Sequence, residues 1–244
     1  MKLRCLIPAM SFAILPASAE PLRFESDETP AMLIELFTSE GCSSCPPADS
    51  WIGQLKNSPD LWKRIVPAVF HVDYWDRLGW PDRFASAANT ERQQRYAQMW
   101  QSNSVYTPGF ALNGREWRGW FERKSLPNPS TDRVGKLAIT VQGSEASISF
   151  EPSGAERKAL TVELALLGSG LESDVKRGEN SGRKLKHDFT VLHHFTKPLR
   201  SEGRRWTATM TLPSKSGDPP KAIAAWIVPE KAQPPIQATG GWLR

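Results

Sequence analysis

Cys42 and Cys45 are the residues best suited to covalent chemistry, because a thiolate can attack a foreign disulfide and a second thiol three residues on can release it. They lie in the stretch from Ser39 to Asp49, SEGCSSCPPAD, which reads as a turn leading into a helix that runs to about Lys56. Pro46 and Pro47 fall in the first turn, where a missing amide donor costs least. A cysteine at a helix start meets unpaired amide donors and the positive end of the dipole, so the expectation is that Cys42 attacks and Cys45 resolves. Ser43 and Ser44 add hydroxyl donors and no charge. Half of a zinc site has the same Cys-x-x-Cys spacing, but zinc usually takes four ligands. The sequence offers no second such pair and no close His-Cys pair; His71, His187, His193 and His194 are the remaining candidates. Redox chemistry is therefore preferred to a structural metal, and no cofactor is implied.

Of the three cysteines, Cys5 falls in the first nineteen residues. Those residues carry Lys2 and Arg4, a mostly apolar stretch from Cys5 to Pro16, and the small residues Ala17, Ser18 and Ala19, the pattern of a cleavable export signal. The apolar stretch is shorter than the ~20 residues a bilayer requires, and Cys5 precedes it, which argues against an anchor and a lipoprotein. The expectation is a periplasmic or secreted protein without stable membrane insertion. Exported proteins that use disulfides as staples normally carry several pairs at long spacing. A pair three residues apart closes almost nothing and contributes little stability, so chemistry explains it better. The formal charge of +5 would fall to +3 without Lys2 and Arg4, and the remaining basic residues are scattered, which argues against nucleic acid as a partner.

The elements that must position the cysteines follow from the apolar pattern. Met32 to Thr38 is nearly continuously apolar and suits a strand buried on both faces, as does Ile65 to Asp73. Trp51, Ile52 and Leu55 share a face of the helix after the cysteines; Thr90 to Trp100 has helical composition; Ser104 to Gly114 reads as a Thr-Pro turn, a short strand and an Asn-Gly hairpin turn. The segment from Pro127 to Arg133 is the candidate boundary between a first domain, residues 20–130, and a second, 131–244. Six strand candidates follow it: 137–141, 146–150, 160–167, 189–195, 206–212 and 222–228. They predict an antiparallel, sandwich-like β-rich module and an α/β fold class for the whole.

Thr107-Pro108 stands directly before a strand. A prolyl bond there is compatible with trans, the ordinary turn form, and with cis, at ~0.5 to 1 kcal/mol. Three stretches resemble the exported thioredoxin-like family known as DUF1223: Glu35 to Asp49, Phe70 to Asp76 with Leu78 to Trp80, and Val105 to Pro108 with Asn113 and Gly114. Gly178 to Arg183 and Leu185 to Val191 extend the resemblance over roughly residues 30 to 230.

That resemblance implies a thioredoxin-like fold, a redox-active Cys42-Cys45 disulfide, and Pro108 as a cis-proline. It departs from ordinary thioredoxins in the Ser-Ser pair, in one added residue before the first cysteine, and in the appended module. Glu35 lies near where thioredoxins keep a buried acid that serves the second cysteine, and equally suits a strand-end salt bridge. Thr107 would pair with an extended substrate segment, and Trp75 and Trp80 would wall a substrate groove or simply pack. The expected activity is thiol-disulfide exchange on protein or small-molecule substrates, with a redox partner protein. The alternatives are a soft-metal carrier, for copper, using both thiolates and His71, and a redox-inert scaffold whose β-rich half mediates contacts.

Overall fold

Met32–Thr38 (β2) and Ile65–His71 (β3) are buried at every position, as their unbroken apolar runs require, and they pair in parallel with Leu36 opposite Val69. In this computed structural model, which describes residues 20–154, 159–213, 217–229 and 234–243, they lie in the middle of an eight-stranded mixed sheet. The expected export signal, residues 1–19, lies outside the described residues. Helix α1 (Pro46–Gln54) connects β2 to β3, ends earlier than anticipated and passes into a short 3-10 turn, Leu55–Asn57. Helix α2 (Ala87–Met99) starts where the Ser86 hydroxyl accepts from the Asn89 amide. It leads to β4 (Gly109–Leu112) and β5 (Arg115–Glu116), a hairpin whose first strand runs antiparallel to β2.

The other strands are β1 (Leu22–Glu25), β6 (Gly135–Gln142), β7 (Glu145–Pro152), β8 (Leu160–Asp174), β9 (Lys184–Pro198), β10 (Arg200–Glu202), β11 (Arg205–Thr211), β12 (Ala222–Pro229) and β13 (Gln237–Trp242). The eight-stranded sheet has the order β13-β12-β8-β9-β3-β2-β4-β5, and a five-stranded antiparallel sheet has the order β1-β6-β7-β11-β10. The molecule is thus mixed α/β, mostly sheet with few helices. Leu137, Ile148 and Phe150 of the small sheet pack against Leu164, Leu166, Ile223 and Ile227 of β8 and β12, which gives the sandwich.

Residues 127–133 separate the helical part of the chain from its run of strands, yet they do not separate two sheets. The anticipated division into 20–130 and 131–244 is corrected by two crossings: β9 pairs with β3 through Val69 and Thr190, and β1 pairs with β6. Each crossing covers an edge that would otherwise present unpaired backbone groups.

Side-chain alternation sorts β2 into two faces. Ile34 and Leu36 pack with Ala48 and Ile52 of α1, whereas Leu33 and Phe37 pack with Tyr96 of α2. The long β8–β9 hairpin carries the turn Val175–Arg183, closed by hydrogen bonds from Val175 N to Arg183 O and from Gly182 N to Val175 O. That turn decides the surroundings of the cysteines.

Candidate functional site

The Cys turn lies between β2 and α1. Hydrogen bonds from Cys42 N to Ser39 O and from Cys45 N to Cys42 O wind it up, and the Ala48 and Asp49 amides bond to Cys45 O. Cys45 is therefore the N-cap of α1, and Cys42, expected at the helix start, stands in the turn just before it. Pro46 and Pro47 remove two amide donors from the first helical turn, so the chain stabilises an anion there less than an ordinary helix start would. The group placed to assist Cys42 is the Ser44 hydroxyl, 3.4 Å from its sulfur. Cys42 and Cys45 form a disulfide, with Cα atoms 5.4 Å apart.

Both cysteines are 0% exposed, so in this form neither sulfur is open to a foreign disulfide, while Ser43 and Ser44 between them face solvent. The turn Val175–Arg183 is clamped onto the Cys turn. Asn180, itself 0% exposed, donates through Nδ2 to Glu40 O and Cys42 O, both at 2.9 Å. The Glu179 carboxylate accepts from the Ser43 amide at 3.1 Å. Gly178, at φ +76°, lets that turn approach Trp80, whose Cβ would meet an added Cβ at 3.3 Å. On the other side Gly41 packs on Trp75, where an added Cβ would stand 3.0 Å from the Trp75 Cβ.

Trp75 joins the Cys turn to the Thr107-Pro108 turn, since its indole N–H donates to the Thr107 hydroxyl at 2.8 Å. The Thr107-Pro108 bond is cis. Trp80 is held by a 2.7 Å bond from its indole N–H to the Glu40 carboxylate. Both tryptophans are half-buried and engaged with protein groups.

Glu35 is placed on the wrong face of β2 to serve Cys45. It points to the α2 side, where Arg92 Nε donates to one oxygen at 2.7 Å and the Tyr96 hydroxyl donates to the other at 2.5 Å. Of the two readings offered for this residue, the geometry matches the salt bridge and corrects the general base: both oxygens are committed and α1 covers the opposite face.

What lies on the α1 side is a second buried cluster that sequence reading did not assemble. His71, in register with Thr38 at the end of β3, is 0% exposed and its Nδ1 lies 2.6 Å from Asp82. His187 of β9 reaches Glu40 at 3.0 Å, and the two imidazole rings are 5.0 Å apart. Asp49, one helical turn after Cys45, completes it. Burial works against ionisation of Asp82, but the charge and hydrogen bond of His71 together with the amides of Glu40 and Phe84 outweigh it and hold the carboxyl below its ordinary range. Burial likewise opposes a charged His71, and the charge and hydrogen bond of Asp82 with the charges of Asp49 and Glu40 raise it. Asp49 is different: burial pushes its carboxyl up, against the pull of His71 and His187. The sequence did hold a signal for it, the four-residue spacing from Cys45 to Asp49. Among the described residues no group of three or more His, Cys, Asp and Glu side chains is arranged to hold a metal ion, and no helix is long and apolar enough to cross a membrane.

Residues 33–228 match the family described as protein of unknown function (DUF1223). A crystal structure of a protein from Agrobacterium tumefaciens is similar, at 27% identity and a TM-score of 0.59, over 88% of this chain and 95% of that one. HBP35 of Porphyromonas gingivalis resembles the chain in fold alone, with 15% identity and a TM-score of 0.60 over 88% of this chain and 76% of its own. No curated protein matches the chain.

Proposed function

The chain belongs to the DUF1223 family, and from that premise we propose that it is an exported, thioredoxin-like thiol-disulfide oxidoreductase whose Cys42-Cys45 pair is capped by the Val175–Arg183 turn. The observation that carries this reading is a disulfide that closes four residues at the junction of β2 and α1, one helical turn before the buried Asp49. Such a bridge adds little stability by loop closure, and a cluster of buried acids and imidazoles is costly to keep without a use. The order β2-α1-β3-α2-β4-β5, with β2 and β3 parallel and β4 antiparallel to β2, supports a thioredoxin-like core.

In the oxidised form a substrate thiolate attacks Cys42 Sγ, a new intermolecular S–S bond forms, and Cys45 Sγ leaves with the electron pair of the broken bond. A second substrate thiolate then attacks its own sulfur in the mixed disulfide and releases Cys42. The substrate loses two electrons and the pair gains them; the reverse sequence reduces a substrate. A redox partner protein restores the starting state. Because Cys42 is covered, the Asn180 clamp must release before attack, and the partner's binding energy is the natural source of that release.

Replacing Cys42 by Ser is expected to abolish insulin reduction and disulfide isomerisation, and Cys45→Ser is expected to trap a mixed disulfide. Wild-type rates in Cys42→Ser would end the proposal. The complete burial of both sulfurs favours a second reading, a permanently oxidised, redox-inert scaffold. That reading predicts a pair that stays oxidised in excess dithiothreitol until the protein unfolds. A soft-metal carrier has less support, since among the described residues no group of three or more His, Cys, Asp and Glu side chains is arranged to hold a metal ion.

A further inference from the structure

We infer that Asp49 is the internal proton donor and acceptor for Cys45, with His71 and His187 holding its charge. This deepens the redox reading above and rests on it. Cys45 is 0% exposed, and a thiolate left unpaired at a buried sulfur is costly, so a proton donor on the protein beside it removes that cost.

Asp49 is the acid in position. Its amide bonds to Cys45 O at 3.1 Å, so its side chain stands one turn along the same face of α1. It is only 7% exposed, and its Oδ1 has no hydrogen-bond partner. His71 Nε2, His187 Nδ1 and the Thr38 hydroxyl are also buried without partners. Four orphaned polar atoms in one pocket of the interior are uncommon, and they mark a place where protons are exchanged and not merely stored in fixed bonds. Burial pushes the Asp49 carboxyl up, in the direction of a group that holds its proton more tightly than an exposed carboxyl.

The groups facing Asp49 are His71 from β3, His187 from β9 and, behind His71, Asp82, with Glu40 behind His187. Further along α1, Asp188 is occupied by Lys56 and Ser169. When Cys45 Sγ leaves, the proton on the Asp49 carboxyl passes to it, giving a thiol and a carboxylate that the two imidazoles stabilise. In the oxidising direction the carboxylate takes the proton back as Cys45 attacks the mixed disulfide.

The test is the pH profile of reduction of the oxidised full chain by dithiothreitol, corrected for dithiothreitol ionisation, in wild type and Asp49→Asn. The variant is expected to lose the wild-type inflection and to slow by about 100-fold. A profile that keeps its shape and rate overturns the inference. Should Asp49→Asn not fold, carbon NMR of the wild-type Asp49 carboxyl decides. Its titration is expected to move between the disulfide and dithiol forms, and an identical titration in both overturns the inference. An inactive Cys42→Ser beside an unchanged Asp49→Asn profile rejects the proton role alone, whereas an active Cys42→Ser rejects the redox reading itself.

Discussion

Two clusters of buried charge lie on opposite faces of the same sheet, and they are built on different terms. On the α2 side Arg92 joins Glu35 at 2.7 Å to Glu163 at 2.5 Å, Tyr96 closes on Glu35 and His194 on Glu163 at 2.9 Å. Burial opposes the charge on Glu163, yet Arg92 and His194 hold its carboxyl down to about 2. On the α1 side, Asp49, His71 and His187 keep atoms without partners. A fully satisfied network fixes one arrangement of β2, β8 and α2, whereas an unsatisfied one is able to change protonation without breaking a bond. The contrast separates a fully bonded cluster from one that keeps unpartnered atoms, and it is open to attack from several directions.

Arg92→Met should produce the largest effect, about 3 to 5 kcal/mol of lost stability, because it leaves Glu35 and Glu163 as buried unpaired charges. Denaturant unfolding measures it, and a loss below about 1 kcal/mol would remove the architectural role of the α2 cluster. Asn180→Ala ranks next, at about 1 to 3 kcal/mol, since the carbonyls of Glu40 and Cys42 lose their donor. The same variant should be reduced by dithiothreitol faster than wild type; an unchanged rate would show that the Val175–Arg183 turn does not control access to the sulfurs.

A smaller effect is expected from pH. Asp82, held low in the fold, contributes stability that is complete above about pH 4 and is lost as acid carries the pH down through its folded value. His71, held high, contributes stability that is complete below about pH 6.5 and is lost as the pH rises through its folded value. The contribution of this pair should therefore be greatest between about pH 4 and 6.5. His71→Gln should flatten the alkaline limb of that curve, and a limb of unchanged slope would assign it to other groups. The smallest change belongs to Glu179→Gln, which keeps an acceptor for the Ser43 amide at an exposed position. Its Tm should match wild type, and a substantial fall would move the strength of the clamp from Asn180 to Glu179.

Local pattern made some elements legible. The apolar runs placed β2 and β3, and the Asn113-Gly114 pair marked the turn between β4 and β5. Arg200–Glu202 and Gln237–Trp242 escaped notice, the first because it is three exposed residues and the second because its glycines hide the strand pattern. Period-two alternation is also present in β2, but no local signal says which face lies toward α1, and so the sequence left the partner of Glu35 open. The sealing of the cysteines was invisible for a plainer reason. Asn180 lies 138 residues from Cys42, and His187 lies 147 from Glu40.

By itself the sequence determined family membership, the Cys42-Cys45 pair and the strands that flank it, since each depends on neighbours within a few residues. Only the tertiary structure decided that the pair is covered, that Glu35 belongs to Arg92 and that His71 and His187 gather with Asp82, Glu40 and Asp49 in one buried cluster. Those outcomes depend on which segments meet across a sheet, and that is fixed by packing between residues far apart in the chain.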